Sequence, residues 1–171
     1  MKKFNLKSLE NTFDKIDNIQ KNIDKIIYNS SEMLIGGVPE GYDGVALGQL
    51  VEAGKTVLFV AREDRRLAAI KASLAFFAGD VEVLEFPAWD CLPYDRVSPK
   101  SDIVAARIDT LTELADLNSA KPRIILTTVS ALLQRVSTRK SFEGSSLKFG
   151  KGGETLRDRL LGYLEQNGYG R

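Results

Sequence analysis

The 171-residue chain predicts an α/β fold, a parallel sheet with helices on both faces. Three observations carry that expectation. Short apolar runs alternate with stretches of helical period between Leu34 and Val136. Two of those runs, Thr56–Ala61 (TVLFVA) and Arg123–Val129 (RIILTTV), lack polar alternation, as strands buried on both faces do. And 43% of the residues are hydrophobic while 24 Lys and Arg nearly balance 23 Asp and Glu, which favours a core over disorder.

Each element follows in order. Residues 1–33 are rich in Lys, Asn and Ile, with Leu6, Leu9, Phe13, Ile16, Ile19, Ile23, Ile26 and Ile27 spaced by three or four. That period predicts an amphipathic helical extension that docks onto the domain behind it. A short apolar strand, Met33–Ile35, leads through a glycine loop into a helix over 42–53. Strand Thr56–Ala61 is followed by a helix from Glu63 to Phe77 with Leu67, Ile70, Leu74 and Phe77 inward. Strand Val81–Phe86 precedes a helix from Asp102 to Leu117 with Ile103, Ala106, Ile108, Leu111 and Leu114 inward. Strand Arg123–Val129 ends at Ser130, expected to cap a helix Ala131–Val136. Crossovers between parallel strands are expected to be right-handed.

Past Val136 the composition changes. Residues 137–153 hold four Ser and four Gly around one short strand candidate, Leu147–Phe149. Thr155 then opens a helix from Leu156 to Gln166. One strand and one helix cannot bury a core alone, so residues 137–171 are expected to begin a second, small α+β domain. The expected organisation is therefore 1–33, 34–136 and 137–171.

Composition also removes function classes. With no His and one Cys, disulfide scaffolds, His–Cys zinc sites and His-based triads are excluded, and no metal site is expected. No run nears the ~20 apolar residues of a membrane helix. Residues 34–136 carry 14 acidic groups against 11 basic ones, a poor electrostatic footprint for nucleic acid. Residues 137–171 carry seven basic and four acidic groups, an excess too small to change that.

Two glycine segments invite comparison with phosphate loops. Gly54-Lys55-Thr56 lies one residue too far from Gly48 and is followed by a strand rather than a helix, so Gly54 reads as a helix C-terminus. Gly36 and Gly41 do keep the P-loop spacing ahead of a helix, but Tyr42 stands at the Lys position and Asp43 at the Ser/Thr position. A phosphate cradle needs an ammonium and a magnesium-binding hydroxyl there, and a carboxylate repels phosphate. These residues favour an ordinary strand–turn–helix connection over a nucleotide site.

The segment Phe86-Pro87-Ala88-Trp89-Asp90-Cys91-Leu92-Pro93-Tyr94-Asp95 is stiffened by two prolines. Phe86, Trp89, Tyr94 and Arg96 form a candidate interaction loop, with base stacking as one use and packing on the sheet edge as the other. Cys91 has no His to activate it. The pairs Asp90/Asp95 and Glu63/Asp64 read as surface charge.

Three segments together, VPEGYDG (38–44), FPAWDCLPYDRVSPKSDIVAARIDTL (86–111) and TTVSALLQRV (127–136), resemble the N-terminal part of the bacterial transcription-repair coupling factors, the Mfd family. The likeness covers about residues 34–171 and leaves 1–33 unmatched. It implies a UvrB-like, helicase-like P-loop domain that has lost ATP hydrolysis, in keeping with Tyr42 and Asp43, and therefore a chain that is not itself an enzyme and takes no cofactor. In that family ATP and Mg serve a DNA-translocating motor, and the whole protein couples stalled RNA polymerase to excision repair by recruiting UvrA. The resemblance makes this chain an expected cytoplasmic N-terminal fragment with little or no DNA binding of its own. Its second domain would stop short of the family's chief UvrA contacts. The rival readings are a residual nucleotide-binding domain using Gly36–Asp43 and a DNA-binding one using Trp89, Tyr94 and Arg96.

Overall fold

Five consecutive buried residues, Ile124–Thr128, form β3, the central strand of a three-stranded parallel sheet in the order β1-β3-β2. The computed structural model describes residue 17, residues 20–26, residue 32, and residues 34–91, 96–116, 121–142 and 157–166. The flanking strands are β1 (Val57–Ala61) and β2 (Val83–Phe86), and both align Val57 and Val83 with Ile124. The helices are α1 (Tyr42–Glu52), α2 (Asp64–Phe77), α3 (Ser101–Ala115), the single turn α4 (Val129–Leu132) and α5 (Arg157–Gln166). The parallel α/β fold is thus the one the alternation predicts.

Strand periodicity divides the sheet into two faces. On one, Ile124 and Leu126 meet Leu47 and Val51 of α1 and Ile70 and Leu74 of α2, with Val57, Phe59 and Val83 at the margin. The other carries Leu84, Phe86, Ile125 and Thr127, together with Leu58 and Val60 of β1. Here the expectation of full burial fails. Leu58 is 52% exposed, β1 being an edge of the sheet among the described strands, and an apolar run alone does not distinguish edge from centre. Phe77 and Ile108, both assigned inward from period, are exposed as well.

The close approach of α1 to α2 depends on two glycines one helical turn apart. A Cβ on Gly44 would lie 2.8 Å from Cβ of Ser73, and one on Gly48 would lie 2.9 Å from Cβ of Ala78. Neither distance is tolerated without backbone movement. The end of α1 is a Schellman turn: Gly54, at φ 80°, donates to Val51 O at 2.8 Å, and Lys55 donates to Leu50 O at 3.0 Å. That settles the Gly54-Lys55-Thr56 segment as a helix stop.

Two boundaries shift from expectation. Leu34 and Ile35 belong to no strand, and Leu34 is 97% exposed, so the strand Met33–Ile35 does not form there; Met33 lies outside the described residues. At α4 the cap is Thr128 rather than Ser130: its Oγ1 accepts from Ala131 N at 3.3 Å, and the helix ends at Leu132 rather than Val136. The last residue of a strand thus doubles as a cap, a dual role that spacing does not reveal. The strand candidate Leu147–Phe149 and most of residues 1–33 lie outside the described residues, although 20–26 are helical and Ile23 is buried.

The chain divides into two compact units. One comprises residues 1–107 and 121–134 and holds the sheet; the other comprises residues 108–120 and 135–171. Within the second, Arg139 Nη2 donates to Leu114 O and Ala115 O at 3.2 and 3.1 Å, a cation on the carbonyl end of α3.

Gly44→Val is expected to cost about 1–3 kcal/mol in urea unfolding through overpacking against Ser73. Gly36→Ala, where an added Cβ meets nothing, should leave the midpoint nearly unchanged.

Candidate functional site

β2 ends at Phe86 because Pro87 has no N–H to continue the ladder. Its last carbonyl is still used, accepting from Thr127 Oγ1 of β3 at 2.8 Å. The chain then turns so that Phe86 and Trp89 enclose a guanidinium. Arg107 of α3 is only 2% exposed, and its Cζ lies 4.1 Å from the Phe86 ring centroid and 4.3 Å from that of Trp89. A desolvated cation held against an aromatic ring gains about 2 kcal/mol.

The polar contacts of this cation are all neutral. Nη1 donates to Pro87 O at 2.6 Å and to Gln134 Oε1 at 3.0 Å. The same Gln134 oxygen accepts from Trp89 N at 3.0 Å, so one amide ties the loop backbone to the guanidinium. Nη2 is buried with no hydrogen-bond partner. Burial lowers the pKa of Arg107 from its ordinary value, but an arginine keeps its proton. The result is a full charge below the surface with aromatic faces, amide oxygens and, among the described residues, no carboxylate hydrogen-bonded to it.

The start of α3 is pinned to the same loop. Asp90 Oδ1 accepts from Lys100 N at 3.2 Å, with Lys100 Nζ 3.8 Å from the other carboxylate oxygen. Of the four expected interaction-loop residues, Phe86 and Trp89 are brought together, Phe86 buried and Trp89 half-buried. Arg96 is exposed, and Tyr94 lies outside the described residues, as does Asp95. Glu63 and Asp64 stand at the start of α2, where carboxylates favour the helix dipole. No group of three or more His, Cys, Asp or Glu among the described residues is placed to hold a metal. Period analysis missed Arg107 and Gln134. The available signal was an arginine four residues after Ile103 and four before Leu111, within the inward stripe of α3.

The glycine loop sits elsewhere in the same unit. Gly41, at φ 85°, precedes α1, a conformation favouring glycine, and its carbonyl accepts from Ser73 Oγ at 2.7 Å. Tyr42 N donates to Pro39 O at 3.2 Å, and Gly44 N donates to Gly41 O and to Asp43 Oδ1, both at 3.1 Å. Asp43 also pairs with Arg66 of α2. The amides of Tyr42 and Gly44 therefore satisfy acceptors of the chain itself. The Tyr42 hydroxyl donates to Gln20 Oε1 at 3.4 Å, as does Gln49 Nε2 at 3.1 Å, tying the N-terminal helical segment to α1. Partial burial raises the pKa of Tyr42.

No protein-family model matches the chain. Curated relatives do. A transcription-repair-coupling factor of Haemophilus influenzae is 30% identical over 136 residues, 80% of this chain and 12% of the relative. One of Rickettsia prowazekii is 30% identical over 115 residues, 67% of this chain and 10% of the relative. One of Escherichia coli is 33% identical over 90 residues, 53% of this chain and 8% of the relative. The matched part of the chain thus spans about a tenth of the length of these relatives.

Because its folded pKa is raised, Tyr42 contributes stability that is complete below pH 10 and is lost as pH climbs through the folded value. Tyr42→Phe should therefore show a shallower loss of stability above pH 10 than the parent in unfolding titrations.

Proposed function

Because the chain belongs to the transcription-repair-coupling factor family, we propose that it is a non-hydrolysing, UvrB-like interaction module of such a factor. In the whole protein this module serves excision repair through UvrA recruitment at stalled RNA polymerase. ATP and Mg belong to the motor elsewhere in the parent and not to this chain. The domain organisation in this reading is a helical extension over 1–33, a degenerate P-loop domain over 34–136 and the beginning of a UvrA-binding type of domain over 137–171.

The observation that carries the reading is Asp43. It takes the Ser/Thr place of a P-loop, and its carboxylate engages Arg66 and the Gly44 amide. An anion of the chain itself already sits on one helix N-terminal amide, that of Gly44, and on the nearby Arg66 cation. Tyr42, at the Lys position, donates to Gln20 and supplies no positive charge. The aromatic loop supports binding of protein over nucleic acid: Phe86 and Trp89 lie against Arg107, so those ring faces are engaged rather than presented to bases.

Two measurements on one preparation test this. Labelled ATP with Mg should show no saturable binding tighter than ~1 mM; such binding, lost in Gly41→Trp, would overturn the non-nucleotide reading. A pull-down with UvrA should capture a form lengthened through the following domain of about 100 residues and not the present chain. Capture of neither form, with the longer one folded, contradicts the recruitment reading.

A further inference from the structure

We infer that Arg107 is a receptor for a protein carboxylate, an Asp or Glu side chain or a chain terminus offered by a binding partner. The inference deepens the interaction-module reading and rests on it. Four features converge on the guanidinium. The charge is buried, at 2% exposure, where an unpaired ion is costly and an opposite charge is worth most. Every acceptor it has among the described residues is neutral: Pro87 O and Gln134 Oε1, both on Nη1. Nη2 is buried and unpartnered. And the Phe86 and Trp89 ring centroids lie 4.1 and 4.3 Å from Cζ, so Nη2 is the donor left for a ligand.

An in-plane edge of a guanidinium matches a planar carboxylate, the geometry behind charge-assisted Arg–carboxylate pairs. The surroundings favour a single carboxylate over a nucleic-acid backbone. Residues 34–136 carry more acidic than basic groups, and Asp90 stands on the loop itself, so there is no basic field to collect successive phosphates. Because Nη2 lies below the surface, a ligand reaches it only as the chain around it gives way. Trp89, stacked on the same guanidinium and the sole tryptophan of the protein, reports that displacement.

The test is a titration of Trp89 fluorescence with acetyl-Glu-amide, and separately with inorganic phosphate, at an ionic strength held constant with chloride. A saturable change with acetyl-Glu-amide, weakened about tenfold to hundredfold in Arg107→Gln, is expected. Arg107→Gln removes a core contact, so Gln134→Glu serves as the second variant. It sets an internal carboxylate against the guanidinium and should abolish the response in a folded protein. An unresponsive parent, a Gln134→Glu variant that responds like the parent, or tighter binding of phosphate than of acetyl-Glu-amide overturns the proposal, the last in favour of a phosphate ligand. The UvrA pull-down is read independently. A failed titration with a successful pull-down of the longer form removes this site and keeps the module, and the converse removes the module reading.

Discussion

A positive charge carried beneath the surface by Arg107 constrains the whole loop side of the sheet. Such a charge must be held by something, and the described neighbours hold it with two ring faces and two amide oxygens. Each of those groups is fixed by the fold. Phe86 ends β2, its carbonyl bound by Thr127 of β3; Gln134 follows the turn α4 that Thr128 caps; and Arg107 is delivered by α3. Strand order and loop conformation are therefore coupled through one side chain. Pro87, unable to extend the ladder, releases the chain at the point where Trp89 has to fold back.

The glycine loop shows the opposite arrangement. There the charges are matched internally, Asp43 with Arg66, and the Tyr42 and Gly44 amides serve carbonyl and carboxylate oxygens of the chain itself. The two loops differ in what they leave unsatisfied. The loop before α1 closes on itself, while the buried cation beside the aromatic loop keeps a donor without a partner. That contrast directs the functional reading toward protein contact and away from nucleotide.

Much of the frame was legible in the residues. Alternation located three strands and the helices between them to within one or two positions, because apolar period and Gly54 are local signals. What was illegible depended on neighbours far along the chain. Leu58 and Val60 belong to as apolar a run as β3, yet only sheet order makes β1 an edge. Arg107 carries no sign of burial in its own helix, where a charge usually marks the outer stripe, and its aromatic partners lie about 20 residues upstream. Gln134, 45 residues beyond the Trp89 amide that it accepts from, had no sequence signal at all. Phe86 and Trp89 were legible as one loop with two uses, base stacking or packing on the sheet edge; the residue they pack on, Arg107, was not.

The Arg107–Trp89 contact ties the loop after β2 to α3. Its most direct measurement is a double-mutant cycle on Arg107→Leu and Trp89→Leu, followed by chemical unfolding. A coupling of about 1 kcal/mol or more is expected, since each single change removes the same pair. Additivity within about 0.3–0.5 kcal/mol would contradict it.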